Sequence, residues 1–320
     1  SYRAGDVFLI FQKLPYDYHS GEPPIELCDN LCFDWTPSEL FDSRSFFSEG
    51  DDIRALLEHA SLVNMVLPRH NLPGTGITHC CLKYRSLETS RYPTVGASSL
   101  FAWFITALRL QKPCPIIGGG QFEVGSEDEP IRNPAPWNRI TVHNPGDACS
   151  YSKDDVDCSS SITRDLLEIR QSNNERRFES AVIYFSQVTQ GFSMSLQLSY
   201  LGLWAALEAL FQPMATKKGE TIARRITIFL GDILSSDEGL EEWLKTEYIH
   251  RRSKFIHGSH IAPAHLQSVR RAKDAFPKLH ELTRLCLLAF LSLEQSERRR
   301  VFQKKGTELE TELGNLRGAT

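Results

Sequence analysis

The chain has 320 residues, 41% hydrophobic and 24% charged, with a net charge of −4, a globular composition that allows one large or two ordinary domains, each with its own core. The acidic balance argues against a dedicated nucleic-acid coat, and no apolar run reaches the ~18 residues of a membrane span. Charge is uneven, however: residues 1–150 carry 12 Lys and Arg against 18 Asp and Glu, while residues 151–320 carry 24 against 22, so a bound anion belongs with the second half.

In chain order, Asp6 to Phe11 reads as a strand between Gly5 and Pro15. Residues 15–50 mix Pro, Asp, Ser and Gly with scattered aromatics and read as ordered but irregular. Asp51 to Val66 has the period of an amphipathic helix, Ile77 to Tyr84 that of a strand, and Ser98 to Leu110 that of a helix stopped by Pro113 and Pro115. Gly118-Gly119-Gly120 has no following Lys-Ser or Lys-Thr, so it reads as a turn and not as a phosphate loop. Gln121 to Val124 and Trp137 to Val142 read as strands. Asn144 to Ser161 lacks periodicity and holds the candidate domain boundary, which divides the chain into an α+β or irregular region (1–158) and a helical domain (159–320).

The eight cysteines, Cys28, Cys32, Cys80, Cys81, Cys114, Cys149, Cys158 and Cys286, form no CxxC pair, and no secretory leader precedes them; a reduced, cytoplasmic chain is the expectation. Cys28 and Cys32 with His79, Cys80 and Cys81 contain zinc-ligand residue types, but the adjacent Cys80-Cys81 is awkward geometry, and buried free thiols are the simpler reading.

The second half is predicted to be a bundle of about five helices. The first starts at Asn174, carries Phe178, Ala181, Val182, Phe185 and Val188, and ends at Gly191. Leu196 to Phe211 is too apolar for a surface helix, and Glu208 within it needs a buried partner, for which a basic group of Arg224 or Arg225 is the expectation. Glu220 to Leu230 follows, then a helix capped by Ser236, then a long helix begun by Pro263 and kinked at Pro277. From Glu297 onward the apolar stripe fades and the tail is expected to be loosely held.

The candidate functional stretch is Tyr248-Ile249-His250-Arg251-Arg252-Ser253-Lys254-Phe255-Ile256-His257-Gly258. Leu240, Trp243, Leu244 and Tyr248 place it at the end of an amphipathic helix, with Gly258 as a stop. Arg252 and His257 are about 140° apart on a straight helix, so they share a cleft only if the helix ends near His257. A guanidinium holds phosphate by parallel hydrogen bonds, and an imidazole moves protons near neutrality. Together they suffice for metal-free cleavage of RNA, whose own 2′-hydroxyl attacks. Arg54 and His59 repeat the spacing inside an apolar run without a glycine stop or basic neighbours, so context separates the two pairs. A metal site from His250, His257, His260 and His265 is disfavoured by Lys254 between the first two.

Leu203-Trp204-Ala205-Ala206-Leu207-Glu208-Ala209-Leu210-Phe211, then Gly219-Glu220-Thr221-Ile222-Ala223-Arg224-Arg225-Ile226, then Arg252 to Gly258, follow one another in a series that resembles the HEPN superfamily (higher eukaryote and prokaryote nucleotide-binding helical domains), and within it the ApeA-like branch associated with bacterial anti-phage defence. The resemblance covers roughly residues 165–297. It implies a mainly α fold, a C-terminal HEPN-like bundle that forms a homodimer, and a cleft holding both copies of the arginine–four residues–histidine motif. It assigns Arg252 to gripping the scissile phosphate and His257 to acid–base chemistry, with Ser253, Arg251 and Lys254 as supporting contacts, no metal and no cofactor. RNA is then the substrate, and the N-terminal region senses a trigger such as a phage protein. Members that cleave RNA often carry Asn, Asp or His directly after the arginine. Ser253 stands there in this chain, which favours the alternative: an inactive HEPN dimer that binds a nucleotide, RNA or a protein.

Overall fold

A computed structural model describes residues 5–13, 16, 23–28, 30–35, 80–85, 95–113, 116–126, 129–136, 150–172, 175–190, 196–213, 216–231, 233–234, 239–252 and 262–316. The chain is mainly helical with a small antiparallel sheet near its N-terminus, and it divides into two compact units, residues 1–167 and 168–320. The expected helix over Asp51 to Val66 and strand over Trp137 to Val142 lie outside the described residues.

In the first unit, strands β1 (Val7–Lys13), β2 (Ile25–Glu26), β3 (Leu31–Trp35), β4 (Cys80–Tyr84), β5 (Ile117–Ser126) and β6 (Glu129–Pro136) form one sheet in the order β2-β3-β4-β1-β5-β6. Helix α1 (Ala97–Gln111) covers one face: Phe101, Phe104 and Leu108 join Leu9, Phe33 and Leu82 in a common core. Successive residues of a strand face opposite ways, so Phe8, opposite Lys83 in the register, buries the other face. There the Lys83 ammonium meets the Asp6 carboxylate at 3.2 Å, both side chains nearly excluded from water. Cys28, Cys32 and Cys81 are buried free thiols, and burial pushes the Cys32 thiol up to about 12.

Two expectations are corrected in this unit. The triple glycine is no turn. It lies within β5, where Gly120 faces Ile10 and Gly118 faces Phe11, so Gly119 is an extra residue. A bulge tolerates glycine well, and that is its use here. The aperiodic stretch to Ser161 does not stay irregular either, because α2 (Lys153–Ser172) begins within it. Its start is a reciprocal cap: the Asp155 backbone N–H donates to Ser152 Oγ at 3.2 Å, and the Ser152 backbone N–H donates to Asp155 Oδ2 at 2.8 Å.

In the second unit, α3 (Arg176–Gln190) and α4 (Leu196–Phe211) pack closely, and Gly202 allows it, since a Cβ there would stand 2.5 Å from Val188 Cγ2. Helix α4 is buried along Tyr200, Leu203, Trp204, Leu207, Leu210 and Phe211. Around it lie α5 (Lys218–Leu230), α6 (Leu240–Glu247), α7 (Ala262–Ser292), α8 (Gln295–Gln303) and α9 (Gly306–Leu316). Phe290 of α7 stacks on Phe229 at 4.3 Å and on Phe302 at 5.4 Å, tying α5 and α8 into the core. Helix α7 runs through Pro277. Gly239, at φ 93°, occupies the N-cap of α6 in place of the expected Ser236, which lies outside the described residues. No helix among the described residues is long and apolar enough to cross a membrane.

The tail is not loosely held. Arg298 donates to Glu175 Oε2 at 2.9 Å, with the carboxylate fully buried, and to the Leu291 carbonyl at 3.2 Å near the end of α7. Leu309, Leu313 and Leu316 of α9 are buried as well. The stripe from Glu297 onward was thin because two short helices each bury only a few apolar residues, and a paired arginine does part of the anchoring.

Candidate functional site

Helix α6 does not end in an ordinary α turn. Over Tyr248–Arg252 the backbone widens to π geometry, an insertion that is rare and frequent at functional sites. Just before it, Glu247, the acidic residue nearest in sequence to the basic stretch, turns inward, where the Tyr200 hydroxyl donates to its Oε2 at 2.9 Å. Tyr248 also points inward, with its ring edge-on to Trp204 at 5.1 Å. The end of α6 is thus pinned to α4 before Arg252 is reached.

Arg252 is held on two sides. Its Nη2 lies 2.6 Å from Glu208 Oε1, and its guanidinium sits 5.0 Å from the centre of the Tyr248 ring, four residues earlier in the chain. The Tyr248 hydroxyl donates to the same Glu208 oxygen at 3.0 Å. Burial, and then the Glu208 charge, push the Tyr248 phenol well above its usual range, so it stays a neutral donor. Both Arg252 and Glu208 side chains remain about one-fifth exposed.

This arrangement corrects the expected partner of Glu208. Arg225 points away from it: its Nη1 donates to the Phe211 carbonyl at 2.6 Å and its Nη2 to the Gly306 carbonyl at 2.8 Å. Arg224 and Arg225 both face Glu310, at 3.2 and 3.6 Å. The carbonyls at the C-terminal end of α4 outcompete Glu208 for Arg225, since that end carries the negative pole of the helix. The carboxylate that stands beside Arg252 is therefore Glu208, from another helix, while the sequence neighbour Glu247 turns away to Tyr200.

Arg252 opens onto a cleft of about 330 Å³ whose other lining residues are Lys217, Lys218, Gly219, Glu220, Tyr248 and Ile249. The two walls are the start of α5 and the π turn. They meet closely because Gly219 has no side chain: a Cβ would stand 3.0 Å from Ile249 Cγ1 and 3.1 Å from Tyr248 Cδ1. Lys217, at the N-cap of α5, is left-handed at φ 58°, a conformation that disfavours side-chain-bearing residues. Sequence reasoning missed both lysines. The signal was the run Lys217-Lys218-Gly219, where two cations precede a glycine that opens a helix.

Of the site residues expected from sequence, Arg252 is the one whose side chain is described. The Arg251 backbone belongs to the π turn, while Ser253, Lys254, His257 and Gly258 lie outside the described residues, as do Arg54 and His59. Glu208 and Tyr248 join Arg252 as residues that orient it. Glu208→Gln keeps the side-chain shape and removes the charge, so Arg252 is expected to lose its hold; Tyr248→Phe removes one donor and leaves the ring. In assays of phosphate-ligand binding at Arg252 the first should cost about tenfold or more and the second a few-fold, each loss worth a charged or a neutral hydrogen bond. Equal, negligible losses would refute the orienting role.

Comparison of the chain with protein-family models, with curated proteins and with solved structures finds no match.

Proposed function

We propose that the chain is a metal-independent endoribonuclease of HEPN type acting in anti-phage defence. The observation that carries this reading is the fixed Arg252: a guanidinium oriented by a carboxylate and a ring, facing a cleft with two further cations. Glu208 engages the guanidinium through Nη2, and a guanidinium carries five N–H donors. The second Nη2 hydrogen and a neighbouring N–H then form the parallel pair that grips a phosphate. His257, five positions on, supplies the acid–base group. A homodimer brings two such pairs together, so that one histidine accepts the 2′-hydroxyl proton while the other protonates the leaving 5′-oxygen. The products are then a 2′,3′-cyclic phosphate and a 5′-hydroxyl. The defence role and the trigger protein rest on the HEPN resemblance.

The test is incubation of the purified full chain with mixed RNA, and with DNA of matching sequence, in EDTA. RNA should be cut and DNA left intact, because DNA lacks the attacking hydroxyl. A second reading is favoured by one observation: Glu208 already neutralises part of the Arg252 charge, which suits a dimeric module that binds a nucleotide, RNA or a protein without cutting. RNA that is bound but uncut, with and without a trigger, would establish that reading instead.

A further inference from the structure

Resting on the assignment of Arg252 to the scissile phosphate, we infer that the start of α5 supplies a second phosphate subsite, in which Lys217 and Lys218 hold the neighbouring phosphodiester of the same RNA strand. The cleft is lined by three cations, Lys217, Lys218 and Arg252, against one carboxylate, Glu220. A chain with net charge −4 presents here a local excess of positive charge inside a concave surface, where an anion is attracted most strongly. Lys218 has no ion pair or hydrogen bond among the described residues. Among the described residues the Lys217 ammonium pairs with Glu220, at 3.6 Å, and both partners are more than half exposed; a pair of that kind is weak and yields readily to a phosphate. Lysine suits a flanking phosphate because it acts as a point charge on a flexible stem and imposes no fixed geometry.

Two surface lysines alone would be ordinary. Here the backbone on both walls departs from regular geometry at the cleft. Lys217 is left-handed, Gly219 leaves out the side chain that would push the walls apart, and the opposite wall is the π turn that carries Arg252. The result is that cations from elements distant in sequence line one opening. Ile249, 48% exposed at the lip, offers an apolar surface to an unstacked base, as proteins that hold single strands commonly do.

The experiment measures binding apart from cleavage, by fluorescence anisotropy of the full chain with a labelled 2′-O-methyl RNA, which has no free hydroxyl to attack. Each phosphate contact contributes about 0.7 to the slope of log K against log salt on a single strand. The variant Lys217→Gly/Lys218→Ala gives up the grip on that one phosphodiester and should therefore lower the slope by about 0.7 and weaken binding alike for all sequences. Glycine suits the left-handed backbone at position 217, so this variant keeps its fold, which circular dichroism melting verifies. Lys217→Arg/Lys218→Arg should retain the slope. An unchanged slope in the neutral variant, while the parent chain binds and cleaves RNA, overturns the subsite and leaves the nuclease reading standing. The same loss of slope in the arginine variant also overturns it, since charge would not be the cause. A parent chain with no RNA binding or cleavage removes the nuclease reading and the subsite with it.

Discussion

RNA cleavage in EDTA should fall by about 10²–10⁴-fold on His257→Ala, the usual cost of removing a positioned general acid or base, and by a comparable factor on Arg252→Ala. The arginine has two tasks in this mechanism. It fixes the phosphate, and it balances the charge that builds on the phosphorane oxygens, which is where a preorganised donor is most effective. Glu208 and Tyr248 hold it in place beforehand, so little reorganisation is needed when the RNA arrives. Arg54→Ala and His59→Ala keep the same spacing in a different context and should leave the rate within a few-fold of the parent. Single-turnover assays on folded variants decide the matter. Equal losses at Arg54 and Arg252 would show that the glycine stop and basic neighbours carry no weight, and metal-dependent cutting of DNA would sink the nuclease assignment at this site.

Local patterns reported much of this fold. Leu196 to Phe211 is apolar on nearly every face and became the central helix α4; Asp6 to Phe11 and Ile77 to Tyr84 overlap the paired strands β1 and β4, although β1 runs on to Lys13. What failed were features in which a local rule had a tertiary exception. Strand β6 holds Pro130, Pro134 and Pro136 and did not read as a strand, yet it is the edge of the sheet, where missing N–H donors cost little. The Ser152–Asp155 cap that starts α2 was written in sequence and overlooked amid the Gly, Ser and Asp around it.

At the site, the basic stretch was legible and its surroundings were not. Basic neighbours, a glycine stop and the HEPN resemblance pointed to Arg252, but its hold depends on Glu208, from another helix. Sequence reasoning saw that Glu208 needed a partner and chose the nearest basic helix. Proximity along the chain does not rank competing acceptors, and a helix end with open carbonyls is a strong one for a buried guanidinium. The lysines of the cleft were hidden for a related reason. Nothing in a local window shows that Lys217 faces a turn thirty residues later; only the packing permitted by Gly219 does.

That competition at the end of α4 gives the largest expected effect on stability. Arg225 is fully buried, and its guanidinium donates to the Phe211, Gln212 and Gly306 carbonyls. Arg177 completes the cap from α3, donating to the Ala209 carbonyl at 3.1 Å, the Leu210 carbonyl at 2.8 Å and the Phe302 carbonyl at 3.1 Å. Two like charges at one helix end have a cost: burial, and then the Arg225 charge, push the Arg177 pKa down to about 10. The six carbonyls and Glu310 offset it. Arg225→Met fills most of the volume and removes every donor, which leaves buried carbonyls and the Glu310 carboxylate short of partners. The expected loss is about 3–5 kcal/mol, a large part of the ~5–15 kcal/mol margin of an ordinary domain. Arg224→Met is the control, because that side chain is 63% exposed and, among the described residues, pairs with Glu310; its loss should stay within about 0.5 kcal/mol. Urea unfolding followed by tryptophan fluorescence compares the two midpoints. If the Arg225 variant unfolds no earlier than the Arg224 variant, the guanidinium is a passenger at the end of α4, and the attachment of α9 must come chiefly from the buried Leu309, Leu313 and Leu316.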